Sequence, residues 1–471
     1  MAKKKGQGAG KSAADRVVEA AEAADLALVR FLYVDHAGIV RGKAVSRARL
    51  AERIAAGIGL TVAMQAMSML DQLQPVEGMG PAGEVRLVPD PATFAVLPYA
   101  PGAGAMAADL VRLDGQPWEA CPRSFLKQAV AALAAEGIAL VGAFEPEFTL
   151  GRLEPDADGG EDRLVPVDES LCFSSTGFGQ AHDYAVELVR ALEAQGLEVE
   201  QYYPELGHGQ QELSIRHAPA LRAADNQVAY RETVRGVARR QGLWATLAPK
   251  PLPDQAGNGT HLHFSLWEAG PDGQPSGRNL LYDADDRYGL SSLGYQFVAG
   301  VLAHLPGLLA LTAASANSYR RLVPHSWSSA FTCYGPDNRE AAVRIPSRLW
   351  GADEASCNLE LKPSDSTGNP YLALGAVIHA GLDGIRSKLD PGKPVEVDPG
   401  TMSNSTRRRR GIQRLPDSLS AALDALERDE LLMAALGPLR RTAYLAVKRS
   451  EAAAFGAGDA AFECRHHLMK F

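Results

Sequence analysis

The chain has few cysteines, and their arrangement excludes two classes of protein. The five cysteines are scattered, their number is odd, and no two of them form a Cys-x-x-Cys pair. A disulfide framework needs paired cysteines, and a zinc module needs closely spaced ligands. We therefore expect a protein of a reducing compartment that has neither.

The chain also lacks a surplus of positive charge. Its formal net charge is −8 at pH 7, whereas a surface that binds nucleic acid depends on clustered lysine and arginine. We therefore expect no nucleic-acid partner. Three lysines at residues 3–5 are set among glycine and alanine, and residues 1–14 are predicted to form a disordered basic tail.

Long hydrophobic runs are a third absence. The longest apolar stretches are rich in alanine and glycine or are interrupted by charges, so we expect them to fall short of the ~20 residues that span a bilayer. The N-terminus lacks the apolar core of a signal peptide. We expect a cytoplasmic protein that does not enter a membrane.

What the chain does have is enough apolar sequence for a large core. It contains 471 residues, of which 46% are hydrophobic. A Pro/Gly-rich stretch and the turn at residues 114–117 predict a small domain over residues 15–115 and a larger one over residues 116–471. The larger domain alternates strands with helices, predicted at residues 124–136, 181–195, 218–241, 293–311, 369–388 and 418–432. This pattern predicts an α+β fold in which helices cover a sheet.

Two strand-like segments carry the strongest chemical signal. Glu145 and Glu147 are two residues apart between phenylalanines, and an extended strand places both carboxylates on one face. A second alternating segment presents His261, His263 and Ser265 on one side. Because two anions held so close need a cation between them, both segments are predicted to form walls of a metal–nucleotide site.

Further charged residues lie on strand-like or turn-like backbone elsewhere in the chain. They are Glu205, Glu212, Arg321, Arg339, Arg344, Glu360 and Lys362. Hard divalent metals prefer carboxylate ligands, and arginine forks suit phosphate or carboxylate groups. Together these residues predict ATP chemistry on an acid.

The segments that carry these residues, in the order in which they occur along the chain, resemble the glutamine synthetase family from about residue 29 to the C-terminus. The resemblance is carried by residues 35–38, 145–148, 205 with 212, 250–263, 317–321, 338–346 and 369–371. It implies a small N-terminal β-grasp domain, a large catalytic domain, and active sites shared between neighbouring subunits of a homo-oligomeric ring. The ring is usually a dodecamer of two hexamers.

The resemblance also implies roles for individual residues, around two or three Mg²⁺ or Mn²⁺ ions per site. Glu147, Glu205 and Glu212 would hold a first metal, and Glu145, His261 and Glu360 a second. The residues that would face ATP are His263, Ser265 and Arg344. Those that would face the amino-acid substrate are Gly257, Arg321 and Lys362. Arg339 would face the transferring phosphate. Asp35 would reach in from the adjacent subunit to bind and deprotonate the incoming amine.

The implied reaction has two steps. ATP phosphorylates the γ-carboxylate of glutamate, and an amine then attacks the acyl phosphate to give an amide. The metals and the cationic side chains stabilise charge electrostatically while water is kept out.

The sequence departs from the family at the position that meets the amine. Ammonia-using members carry a glutamate on the flap after the Arg-Leu-Val-Pro segment, and in this chain Trp327 or a neighbouring residue stands at that place. At the two positions beside Glu360 where the family usually has arginines, this chain has Asn358 and Lys362. These changes resemble the nodulin-type branch of the family. Because a large apolar surface replaces an anion, we hypothesise that Trp327 lines a pocket for an organic primary amine.

Other interpretations stay open at this stage. The chain could be a non-catalytic nucleotide-binding ring with a scaffold or regulatory role, or could act on an acid other than glutamate. Asp35 could only cap a turn, and Trp327 could only pack.

Overall fold

The computed structural model describes residues 11–155 and 163–471. Most of the predicted basic tail lies outside these residues. The prediction was wrong for the last residues of the tail, because helix α1 (Ala13–Ala23) already begins there. Ser12 and Asp15 cap this helix reciprocally, each side chain accepting the other's backbone N–H, which satisfies amide groups that would otherwise lack partners.

The N-terminal part is a mixed sheet with helices packed on it. Besides α1 it contains β1 (Leu28–Val34), β2 (Val40–Ser46), α2 (Leu50–Ala56), β3 (Ile58–Thr61), β4 (Glu84–Pro89), β5 (Ala95–Val96) and β6 (Ala103–Val111), with short 3₁₀ turns at Arg47–Arg49, Val62–Ala66 and Pro91–Thr93. The strand order is β2-β1-β6-β4-β3, with β1 parallel to β6. Apolar residues of both helices and of the sheet form one buried cluster.

The larger part, which follows the N-terminal part, is built on a mainly antiparallel sheet. Its strands are β7 (Ile138–Glu154), β8 (Arg163–Pro166), β9 (Val199–Pro204), β10 (Gln210–Ile215), β11 (Ala218–Pro219), β12 (Trp244–Thr246), β13 (Thr260–Ala269), β14 (Pro275–Asn279), β15 (Tyr334–Pro336), β16 (Val343–Ile345) and β17 (Leu359–Leu361). The main path is β15-β16-β17-β13-β7-β10-β9. Strand β7 pairs on both sides and lies at the centre.

Helices cover this sheet, which confirms the predicted α+β class. They are α3 (Pro122–Ala134), α4 (Ser175–Gln180), α5 (His182–Glu193), α6 (Ala220–Arg240), α7 (Ser292–Thr312), α8 (Ser318–Arg321), α9 (Asp353–Ser356), α10 (Pro370–Ser387), α11 (Asn404–Arg409), α12 (Leu419–Arg428), α13 (Glu430–Leu436), α14 (Pro438–Ala457) and α15 (Ala460–Lys470), with a 3₁₀ turn at Pro399–Thr401. Helices α7 and α10 approach closely: a Cβ on Gly300 would lie 2.1 Å from the Ala380 carbonyl oxygen.

Two expectations about helices need correction. The single helix predicted over residues 418–432 is two helices, because Asp429 leaves the helical conformation and its side chain caps α13 at Leu432 N–H. Helix α7 has 21 residues and is, among the described residues, long and apolar enough to cross a membrane. The expectation that no segment reaches that length was therefore wrong. This helix packs within the core of the larger part.

Candidate active site

Strand register brings distant charged residues together on the large sheet. Glu145 on β7 pairs with His261 on β13, and Glu147 pairs with Glu212 on β10. Glu360 on β17 pairs with His263. Since side chains two residues apart share a face, these carboxylates and imidazoles converge on one side of the sheet.

Three of these side chains form a compact group of metal-ligand type. The donor atoms of Glu145, His263 and Glu360 all lie within 4.8 Å of one another. His263 Nε2 is 3.2 Å from Glu145 Oε2, and His261 Nδ1 is 3.3 Å from Glu360 Oε1. The resemblance assigned His261 to this metal and His263 to the nucleotide, but the geometry puts both rings against the carboxylates.

Positive neighbours dominate the electrostatics of this group. Burial opposes ionisation of Glu360, but Lys362, the two histidines and Arg344 lower its pKa to about 2. Burial also opposes protonation of His263, yet Glu145 and Glu360 raise its pKa to about 9. His261 differs, because burial and the charge of Lys362 lower its pKa to about 4.

A second group contains Glu147, Glu205 and Glu212. The side-chain amide of Gln210 and the backbone N–H of Gly259 donate to Glu147 Oε2, at 2.6 and 2.9 Å. The Tyr203 hydroxyl donates to Glu212.

Burial and mutual repulsion disfavour the charged form of this second group. Burial raises the pKa of Glu205 to about 7, with a contribution from Glu147. Burial and the charges of Glu145 and Glu147 raise the pKa of Glu212 well above its ordinary value. Carboxylates in this arrangement need a cation to be held ionised together, and a set of carboxylate oxygens fits Mg²⁺ or Mn²⁺.

Beside Arg321, the second group adjoins two glycines that are closely packed. A Cβ on Gly259 would lie 2.9 Å from His261 Nε2 and 3.2 Å from both Glu147 Oε1 and Arg321 Nη1. A Cβ on Gly257 would lie 3.0 Å from Arg321 Cγ. At Gly257 a Cβ would also lie 2.3 Å from the Pro249 carbonyl oxygen, so a side chain there would displace backbone, whereas a Cβ on Gly259 would crowd the His261, Glu147 and Arg321 side chains.

A cavity of about 620 Å³ lies beside Glu145 and His263. Its lining includes Glu145, His263, Ser265, Arg344 and Asn358. Arg344 pairs with Glu360, and His263 Nδ1 is 3.0 Å from Asn358 Oδ1. The three residues expected to face ATP thus share one cavity, of a size that suits a small-molecule ligand.

Lys362 and Arg339 occupy different settings. Lys362 is buried, with its Nζ 3.4 Å from Glu360 Oε1 and 3.5 Å from His261 Nε2. Arg339 is exposed, and its charge lowers the pKa of Glu205. Lys362 therefore lies within the cluster of carboxylates and histidines, whereas Arg339 lies at the surface.

Asp35 is not brought to this cluster. It follows β1, is wholly buried in its own chain, and pairs with Arg41. Its Oδ1 also accepts the backbone N–H of Ile39, and its carbonyl that of Gly38. These contacts are those of the turn cap that the sequence left open as the alternative role.

Trp327 lies on the flap at residues 323–329. Its side chain is 57% exposed, and its backbone N–H donates to Glu340 Oε1 at 2.6 Å. The hydroxyl of the next residue, Ser328, donates to the Arg321 carbonyl oxygen at 2.7 Å. The flap is therefore hydrogen-bonded to Arg321, whose side chain lies against Gly257 and Gly259.

Sequence reasoning missed Gln210 and Tyr203 as parts of the site. Gln210 also donates to the Gly257 carbonyl oxygen, at 3.0 Å, and so links Glu147 to the glycine loop. A signal was present, because Gln210 precedes Glu212 by two residues and must share its face of β10. Tyr203 could be found only through its pairing with Glu212 across β9 and β10.

Comparison with known proteins identifies relatives over nearly the whole chain. Sequence models of two families match it: "Glutamine synthetase N-terminal domain" over residues 12–118 and "Glutamine synthetase, catalytic domain" over residues 119–467. The chain is 38% identical, over 422 residues, to gamma-glutamylpolyamine synthetase GlnA3 of Streptomyces coelicolor, covering 89% of this chain and 88% of the relative. It is 36% identical, over 392 residues, to a glutamine synthetase of Halobacterium salinarum, covering 82% and 84%.

Solved structures agree with these relatives. A glutamine synthase homologue superposes with a TM-score of 0.82 at 39% identity, covering 95% of this chain and 99% of its own. A complex of GmaS with ADP gives a TM-score of 0.81 at 30% identity, covering 96% and 99%.

Proposed function

The chain belongs to the glutamine synthetase family and is an ATP-dependent ligase that forms γ-glutamyl amides, and we propose that its amine substrate is an organic primary amine rather than ammonia. The family's catalytic domain implies dependence on ATP and a divalent metal. The chain differs from ammonia-using members of the family at Trp327, the flap residue that is expected to meet the amine.

We assign the metal-binding residues from the geometry of the cluster. Glu147, Glu205 and Glu212 would hold one ion, and Glu145, Glu360 and a histidine, His263 or His261, a second. When bound, Mg²⁺ or Mn²⁺ neutralises phosphate charge and orients the phosphoryl group. Lys362 and Arg344 hold Glu360 ionised, which keeps a ligand ready at neutral pH.

The substrates of the first step would bind on opposite sides of this cluster. The cavity lined by His263, Ser265 and Arg344 would take ATP. Arg321 would bind the glutamate substrate in the space beside Gly257 and Gly259, where the glycines leave room for its guanidinium. Arg339 would meet the transferred phosphoryl group from the solvent side.

The observation that carries the amine assignment is the indole of Trp327. It is more than half exposed on a flap that is bonded to Arg321, where ammonia-using members of the family have a glutamate. An anion at that place favours a small cation such as ammonium, whereas an indole favours a nucleophile that carries carbon. Similarity to a gamma-glutamylpolyamine synthetase supports the same assignment.

We also propose that the active sites lie between subunits of a dodecamer. Members of the family are typically oligomeric. Large apolar side chains at Leu171, Phe173 and Leu206 are exposed in the isolated chain, and Cys172 between the first two contacts Glu205. Exposed apolar residues beside a site suit coverage by a second copy.

The test of the function is ADP release by the purified protein with glutamate and Mg²⁺ or Mn²⁺. Ammonia is compared with methylamine, ethanolamine, putrescine and spermidine. We expect at least one organic amine to exceed ammonia in kcat/KM by about tenfold or more, the scale on which apolar contacts discriminate substrates. A preference for ammonia would contradict the proposal, and nucleotide binding without any stimulated ADP release would favour the scaffold interpretation.

A further inference from the structure

Helix α15 contacts the loop at residues 250–257, which ends at a glycine of the site. The indole N–H of Trp244 on β12 donates to the Leu468 carbonyl oxygen of the helix at 3.1 Å. Near the start of the helix, the Cys464 thiol donates to the Pro251 carbonyl oxygen at 3.0 Å. The helix is therefore held against the large sheet toward one end and against this loop toward the other.

Glu463, in the first turn of this helix, is a buried carboxylate bound to two residues that precede Arg321. Only 6% of Glu463 is exposed. Its Oε1 accepts a side-chain N–H of Asn317 at 2.9 Å, and the Arg320 guanidinium donates to Oε1 and Oε2 at 3.3 and 3.2 Å. The Arg320 side chain is exposed, whereas Asn317 is buried. The bond to Asn317 is therefore the one that water does not readily replace.

The side chain of Asn317 also binds the backbone of Lys250 with both of its polar atoms. Its Oδ1 accepts the Lys250 N–H at 2.6 Å, and its Nδ2 donates to the Lys250 carbonyl oxygen at 3.3 Å. An ionised carboxylate only accepts hydrogen bonds, so the amide must turn its NH₂ group toward Glu463. Glu463 thereby determines that the amide oxygen, and not the nitrogen, meets the Lys250 N–H.

Lys250 begins the loop whose last residue, Gly257, lies against Arg321. The Lys250 ammonium group donates to the Gln255 carbonyl oxygen, which closes the loop on itself. A Cβ on Gly257 would lie 3.0 Å from Arg321 Cγ. The bonds of Glu463 therefore join the two segments that carry Gly257 and Arg321, the residues assigned to glutamate.

We propose that Glu463 is a positioning residue for glutamate: it holds Gly257 and Arg321 at the separation that this substrate requires. The inference deepens the proposed function and rests on it, because that function places glutamate beside these two residues. Neither of the two segments lines the cavity assigned to ATP. Loss of the buried Glu463 bond therefore weakens glutamate binding and leaves ATP binding in place.

The test compares the wild type with Glu463→Met in ADP release at a saturating concentration of the amine. Methionine keeps the length of the side chain but offers no oxygen to Asn317. We expect the KM for glutamate to rise about tenfold or more, while the KM for ATP stays within about twofold, because the lost bond and a misplaced binding residue act only on the glutamate side.

Two further variants separate the buried bond from the loss of a charge. Glu463→Gln still offers an oxygen to Asn317 but carries no charge toward Arg320, so its glutamate KM should stay within about threefold of the wild-type value. Glu427→Met is the matched control, because this exposed glutamate of α12 pairs with Arg449. The control should leave both KM values unchanged.

Each outcome supports or overturns the role of Glu463. An unchanged glutamate KM in Glu463→Met, or an equal rise in both KM values, overturns it, as does a Glu463→Gln variant that is as impaired as Glu463→Met. If Glu463→Met does not fold, Glu463→Asp replaces it. Its carboxylate is withdrawn from Asn317 by one methylene, so a severalfold rise in the glutamate KM alone is expected, and no rise overturns the inference. If the wild type shows no glutamate-dependent ADP release, the proposed function fails first and the inference falls with it.

Discussion

At the scale of single residues, the charges beside each buried carboxylate of the site determine its pKa more than the depth of its burial does. Glu360 and Glu212 are both almost wholly buried. Lys362 and the histidines lower the pKa of Glu360 to about 2 despite burial, whereas burial, Glu145 and Glu147 raise the pKa of Glu212. One group is thus held ionised by the chain itself, and the other needs a cation from solution.

The first prediction concerns Glu147. Glu147→Gln should lower glutamate-dependent ADP release at least about 100-fold, because it removes one carboxylate charge from the proposed metal site and from the acceptor of the Gly259 N–H. The native molecular mass should not change. Glu268→Gln is the control, since this exposed residue on the same sheet pairs with Arg278. Retention of more than a third of the activity in Glu147→Gln would count against the metal assignment.

The second prediction concerns the flap tryptophan. Trp327→Glu should reduce the ratio of kcat/KM for the best organic amine to that for ammonia by about tenfold or more, because an anion replaces an apolar surface. Trp350 is fully exposed, so Trp350→Glu is a matched control that should leave the ratio unchanged. An unchanged ratio in Trp327→Glu would make Trp327 a packing residue.

At the scale of elements, long-range pairing creates the site and the sequence could not reveal it. Helices such as α6 were predicted to within two residues of each end, because their apolar periodicity is local. The pairing of Glu147 with Glu212 and of Glu360 with His263 depends on register between strands far apart in sequence, which no local pattern encodes. The assignment of each candidate ligand to a metal therefore came through resemblance, while Gln210 and Tyr203 were missed.

A third prediction concerns the contact between helices at His304. Its ring on α7 is 2.7 Å from Asp429 Oδ2 before α13 and 3.3 Å from Asp383 Oδ2 on α10. Burial opposes protonation, but both carboxylates together raise the pKa of His304. Because the folded pKa is raised, this stabilisation is fully present below the unfolded value of about 6.5 and is lost as pH rises through the folded value.

We therefore expect His304→Gln to lower the thermal midpoint more at pH 6 than at pH 9. Thermal unfolding of both proteins across this range measures the difference. A deficit that grows with rising pH would show that the neutral ring, rather than the imidazolium, makes the stabilising contact.

At the scale of the whole molecule, a buried arginine links the N-terminal part to the catalytic part. Arg123 on α3 is 2% exposed and donates to Asp225 on α6 at 2.9 Å, to Asp90 at 2.8 Å and to Asp109 on β6 at 3.1 Å. Asp90 and Asp109 belong to the N-terminal part, and Asp225 to the catalytic part. The network therefore contributes to the contact between the two parts, beside hydrogen bonds such as that from Asn369 to the Asp35 carbonyl oxygen.

The fourth prediction follows from this network. Arg123→Met keeps much of the side-chain volume but leaves Asp225 buried without its charge partner, and should lower the free energy of unfolding by about 3–5 kcal/mol. Arg112→Met, at an exposed pair with Asp114, should cost under about 1 kcal/mol. Denaturant unfolding measures both, and equal effects would mean that the network contributes no more than a surface pair.

The most direct measurement of the central claim is a competition in one tube. The protein is given ATP, Mg²⁺, glutamate, and equal concentrations of ammonia and of the best organic amine, and mass spectrometry quantifies glutamine and the γ-glutamyl amide. The ratio of the products equals the ratio of the two kcat/KM values. We predict that the γ-glutamyl amide exceeds glutamine by about tenfold or more; an excess of glutamine would contradict the account.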